Sequence, residues 1–134
     1  MLHPSQFAVG DAWIAFRLND RPIVTLEDGS FNCVSIMDAA SCYIFGAEMV
    51  PGAGGGDMSQ LHARRLLQAA LSKSERYPAT MIVPEGQFQG ALAAEAARKS
   101  IAVVSVPESQ LLVFTGEAIA GYREHMQGKS GREA

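Results

Sequence analysis

The chain has 134 residues, 48% of them hydrophobic and 19% charged, with 14 Asp and Glu against 11 Lys and Arg for a formal net charge of −3. That apolar content excludes a disordered chain, the length suits one domain whose core needs no disulfide or metal, and no apolar run approaches the roughly 20 residues that cross a bilayer. The acidic balance disfavours a domain that coats phosphate backbones, and residues 1–6 show no basic-then-apolar leader, so a single cytoplasmic domain over 1–134 is expected.

Residues 13–18 and 22–26 are short β-rich runs. Glu27-Asp28-Gly29-Ser30 reads as a hairpin turn, because Asp-Gly supplies the left-handed backbone that such a turn needs. Residues 31–37 and 43–50 continue the extended pattern, and together these runs predict an antiparallel meander. The segment 51–56, Pro-Gly-Ala-Gly-Gly-Gly, suits neither helix nor strand and reads as a linker. Beyond it the apolar spacing becomes helical. Asp57 or Ser59 can cap a helix reaching about residue 74, with Ala63, Leu66, Leu67 and Ala70 on one face. Arg64, Arg65, Gln68 and Ser72 lie off that face, and the arginine pair reads as solvated rather than as a nucleic-acid contact. Tyr77-Pro78 should end this helix, since the residue before proline avoids the helical region. Residues 80–83 form a short apolar strand. A second helix is expected over 87–99, with Phe88, Leu92 and Ala96 toward the sheet and Arg98 and Lys99 in the last turn, where positive charge suits the helix dipole. Residues 101–106 read as a buried strand stopped by Pro107. A last helix, broken near Gly116 with Thr115 as a cap, reaches about residue 126 and places Ile119, Tyr122 and Met126 on one face; 128–134 should fray.

Strands followed by alternating helices and strands demand antiparallel pairing first and right-handed parallel crossovers afterwards. An α/β fold with a mixed five-stranded sheet and helices on both faces satisfies both. Cys33 and Cys42 read as free thiols in a chain without an export signal. His3, His62 and His125 are scattered, so no zinc site is expected. Gly52 to Gly56 lacks the Lys-Ser/Thr of a phosphate loop, and no Gly-x-Ser-x-Gly elbow occurs.

The run Ile36-Met37-Asp38-Ala39-Ala40-Ser41-Cys42-Tyr43-Ile44-Phe45-Gly46-Ala47-Glu48 resembles the hairpin of second and third strands in the catalytic cores of retroviral integrases and DDE transposases, which have the RNase H-like fold. Trp13 resembles the tryptophan that opens the first strand of many such cores. Ile82-Val83-Pro84-Glu85-Gly86-Gln87-Phe88 resembles the segment that usually reads Ser-Asp-Asn-Gly with a following Phe. Val106-Pro107 and the helix carrying Glu117 stand where the family has its last strand and glutamate-bearing helix. The similarity spans about 12–126, is specific in the hairpin and weak elsewhere.

The resemblance implies an RNase H-like core and, in its enzymes, two divalent metals clamped by carboxylates for in-line attack on a phosphodiester. It also implies where the ligands should stand. The first falls on Phe16 and the second on Pro84, neither of which can ligate a hard cation. Only the third has a candidate, Glu117. Phe16, Pro84 and Glu117 would then mark a degenerate cleft. The function expected is a non-catalytic domain, without cofactor, working through a protein partner or as a homodimer, with nucleic acid doubtful and no membrane contact. The alternative is a divergent nuclease or recombinase in which Asp38, Glu85 and Glu117 hold Mg²⁺ or Mn²⁺. Against that trio, Asp38 suits a turn and Glu85 and Glu117 suit helix starts; Asp11, which precedes the first strand, is a further carboxylate near it. A small-ligand domain of flavodoxin-like topology would need a purely parallel sheet, which the extended N-terminal half disfavours.

Overall fold

A computed structural model describes residues 2–19, 23–25, 29–51 and 58–133, with side chains except at 23–25 and 126–133. The strands are β1 Ala12–Arg17, β2 Ile23–Thr25, β3 Gly29–Asp38, β4 Ile44–Pro51, β5 Thr80–Pro84 and β6 Ala102–Val106; the helices are α1 Gln60–Ser74, α2 Ala91–Arg98 and α3 Leu112–Glu133. β3 organises the first half. Its Val34 pairs with Arg17 of β1 on one edge and Glu48 of β4 on the other, and its Phe31 likewise pairs with Ile23 of β2 and Pro51 of β4. β1 and β2 therefore share an edge of β3, and the sheet is five strands wide in the order β4-β3-β1-β5-β6. β1, β3 and β4 are antiparallel neighbours, whereas β1, β5 and β6 run parallel.

Alternation along β1 sorts the core into two layers. Trp13 and Ala15 face α1 and α2 and pack with Ala63, Leu66, Leu67, Ala70, Leu92 and Ala96. Ala12, Ile14, Phe16 and Leu18 face α3 and pack with Leu111, Phe114, Ile119 and Tyr122. Helices thus cover both faces of a mixed sheet, as the pattern of strands and helices requires.

Helix α1 spans the stretch expected of it, and several other local expectations are corrected. α1 starts from Ser59, whose hydroxyl accepts the His62 N–H at 3.2 Å. It ends before Tyr77-Pro78, at Glu75 in the left-handed region (φ 72°). Helix α2 begins only at Ala91, because Gly86 (φ 76°) and Phe88 (φ 58°) turn the chain after β5. Phe88 still buries its ring in the core, but from a turn. β6 is an edge strand and its Val104 is exposed, so its apolar run reflects only one covered face. The break expected near Gly116 falls earlier. A 3₁₀ turn over Glu108–Leu111 leads into α3, which runs unbroken to Glu133 through the stretch expected to fray. Thr115 does not cap it; its hydroxyl donates back to the Leu111 carbonyl at 3.1 Å. Residues 52–57, including Asp57 and most of the expected linker, together with 20–22, 26–28 and the Met126 side chain, lie outside the described residues.

Candidate functional site

In open sheets a crevice forms at the carboxyl ends of parallel strands where the chain leaves neighbouring strands in opposite directions. β1 and β5 meet that condition. The chain leaves β1 toward β3 and leaves β5 through α2 toward β6. β1 and β5 pair Ile14 with Ile82, and the same register carries Phe16 level with Pro84 at their ends. A cavity of about 150 Å³ lies there, walled by Phe16, Leu18, Pro84, Leu111 and Ile119, with Leu112 at its lip.

The polar groups around this cavity are already engaged. The Asn19 carbonyl accepts the Cys33 N–H at 2.7 Å, and its amide donates to Asn32 Oδ1 at 2.9 Å. Gln87 Nε2 donates to Glu108 Oε2 at 2.7 Å. The Thr115 hydroxyl points back into α3. Arg17 also borders the cavity, but strand alternation sends its side chain to the α1–α2 face with its partner Val34. No side chain in these walls is both nucleophilic and paired with a base, and the apolar walls dominate.

Of the three residues placed in a degenerate cleft, Phe16 and Pro84 come together here, and Glu117 does not join them. Glu117 is exposed and lies off the α3 face that lines the cavity; its charge, with that of Asp38, acts on Cys42. The Cys42 thiol is pushed up first by burial and then by those two carboxylates, and burial alone pushes Cys33 up. Neither thiol is poised as a nucleophile.

The rearranged trio is not gathered either. Asp38 is fully buried, and its carboxylate accepts from the Gly10 N–H at 2.9 Å and from the N–H and hydroxyl of Ser41, each at 2.8 Å. It ties the start of β1 to the β3–β4 turn. Glu85 is exposed beyond β5, with its N–H on the Val106 carbonyl at 2.8 Å. Among the described residues, no three His, Cys, Asp or Glu side chains come close enough together to hold a metal ion. The metal pair implied by the resemblance therefore does not fit the residues present, since Phe16 and Pro84 offer no ligating atom. Sequence reasoning missed Leu18, Asn19 and Leu111 as neighbours of Phe16. The alternation Ile14, Phe16, Leu18 was the signal available for the first of them.

A polar cluster among the described residues lies on the opposite face. Glu95 of α2 is 3% exposed, accepts from Gln60 Nε2 at 2.8 Å and faces Arg64 at 3.6 Å and Arg98 at 3.7 Å. The Gln60 hydrogen bond, then the two guanidinium groups, hold its carboxyl below the ordinary range although burial pushes the other way. Nearby, His62 Nδ1 lies 3.1 Å and Arg65 3.8 Å from the Glu48 carboxylate. These groups fasten α1 to α2 and β4.

No protein-family profile and no curated protein matches the sequence. Solved structures do match in shape. A chain of the simian T-cell lymphotropic virus intasome, solved in complex with PP2A regulatory subunit B56 gamma, superposes with a TM-score of 0.52 at 10% identity, over 89% of this chain. This chain spans only 37% of that one. The HTLV-2 integrase catalytic core domain, solved with magnesium in a dimeric form, gives a TM-score of 0.51 at 9% identity, over 82% of each chain. At such identities the likeness concerns the fold, and the fold of this chain is that of a retroviral integrase catalytic core.

Proposed function

We propose that this is a non-catalytic integrase-core-like domain that acts by binding, to a protein partner or to another copy of itself, in the cytoplasm. The observation that carries this reading is the crevice at the ends of β1 and β5, which Phe16 and Pro84 fill with apolar surface. In-line phosphoryl chemistry needs carboxylates at such a place to clamp metal ions, and of the candidate carboxylates Glu85 and Glu117 are exposed while Asp38 is engaged in holding a turn. The dimeric HTLV-2 core and the intasome bound to a regulatory subunit supply precedents for protein association in this fold. The mild net negative charge adds a reason to doubt nucleic-acid binding. No described helix is long and apolar enough to cross a membrane.

The test is a thermal melt in millimolar Mg²⁺ or Mn²⁺, run beside a DNA cleavage assay. A metal held at 100 times its Kd would add about 2.7 kcal/mol and raise Tm by several degrees. No shift and no cleavage are expected. A shift that Glu85→Gln abolishes would overturn the reading in favour of a nuclease or recombinase built on Asp38, Glu85 and Glu117.

A further inference from the structure

The cavity at the ends of β1 and β5 has the size and lining of a ligand site. Of its walls, Phe16, Leu18, Pro84 and Leu111 are buried side chains, and Ile119 of α3 closes the space from above. Water inside such a space needs about two to four polar partners. The polar groups around it already have theirs: the Thr115 hydroxyl donates to the Leu111 carbonyl, the Asn19 amide to Asn32 and the Gln87 amide to Glu108. The cavity is therefore poorly hydrated, and a charge carried into it would lose its water without gaining a partner. Its volume, about 150 Å³, sets the size of an occupant. An engineered cavity of about 150 Å³ lined by Leu, Ile and Phe in another protein stays dry and takes up benzene or xenon. Drug-sized molecules occupy pockets of about 300–1,000 Å³.

We propose that this cavity binds a free, uncharged molecule built on a single apolar ring. The rim favours a free molecule over a ring carried on another chain. There the Gln87–Glu108 hydrogen bond, 2.7 Å long and exposed, ties the turn after β5 to the 3₁₀ turn before α3, and Leu112 stands 54% exposed at the lip. A free ring needs that bond open only while it passes. A side chain inserted by a partner would keep its backbone over the lip for as long as it stayed. The inference rests on the reading of this crevice as apolar and non-catalytic, and adds a ligand class to it.

The test is a titration of the intact chain with benzene and with toluene, followed through methyl resonances. The Leu18, Leu111 and Ile119 methyls should shift together and saturate with a dissociation constant on the order of 1 mM. Leu61, exposed on the opposite layer, should not move. Benzoate, the same ring with a charge, should leave the wall methyls unshifted. Ile119→Phe fills the space and should remove the response to benzene. Should that variant not fold, calorimetry on the wild type decides, because burial of the ring gives a negative heat-capacity change. Wall methyls that do not respond overturn the proposal, as do equal shifts at Leu61, equal binding of benzoate, or an Ile119→Phe chain that still responds. N-acetylphenylalanine amide binding as tightly as toluene would also overturn it, in favour of a partner's side chain. Metal binding or DNA cleavage would instead overturn the non-catalytic reading, so the two failures are distinguishable.

Discussion

Gly46 sits on β4 where a Cβ would meet the Ala69 Cβ at 3.1 Å. A strand glycine usually gains by acquiring a side chain, but here the neighbour is a methyl fixed to helix α1 rather than a flexible chain end. Gly46→Ala should therefore cost about 1 kcal/mol or more, and Gly46→Val more again, in urea or thermal melts. Next to it, Ile36 pairs with Gly46 and Met37 with Ile44, so Phe45 is the extra residue of a bulge, and its ring lies 5.6 Å from that of Trp13. Glu95 gives a pH-dependent expectation. Its carboxyl ionises more readily in the folded state, so the stability it adds is complete above its unfolded value and is lost as pH falls through the folded one. The difference in Tm between wild type and Glu95→Gln should be largest near neutrality and shrink in acid. Only Arg98, three residues on, is a partner of Glu95 that local spacing suggests; Gln60 and Arg64 stand over thirty positions away, so its burial in a cluster was not legible. The roles of Phe16 and Pro84 were legible only because a resemblance gave those positions meaning; composition would have called both ordinary core.

Elements with strong local signals came out where the sequence put them. The apolar face of α1 is buried as spaced, and Ser59 caps it. Ser59→Ala should cost about 1 kcal/mol, and Ser59→Asp should preserve most of the stability, as followed by equilibrium unfolding. Weak signals failed for identifiable reasons. The four-residue spacing of Phe88, Leu92 and Ala96 extends the pattern of α2 back to Phe88, but a positive φ at Phe88, set by the turn after β5, outweighs it. β6 has the composition of a buried strand, yet only tertiary order decides that it stands at the sheet edge. Amide hydrogen exchange should separate the two cases: β1, which has partners on both sides, should be among the slowest strands to exchange, and β6 should open more readily.

At the scale of the whole molecule, the order of strands and helices was enough to name the architecture, since antiparallel and crossover rules leave few ways to assemble it. Which face each helix covers required coordinates. Trp13, the only tryptophan, is fully buried between Phe45 and Tyr77 with its indole N–H unpartnered. Trp13→Ala should cost about 3–5 kcal/mol, and the wild-type emission should red-shift on unfolding, giving a direct reading of the core. The parallel pairing of β1 with β5 has a kinetic consequence. β3 and β4 adjoin in the chain and β3 returns to β1 within a short stretch, but Ala12 and Thr80 are about 70 residues apart. Closing so long a loop forfeits entropy before any contact repays it. The meander should therefore form the folding nucleus and the β5–β6 half should dock late. Substitutions at the β3–β4 contact would slow refolding, whereas those at Ile82 or Val83 would chiefly hasten unfolding.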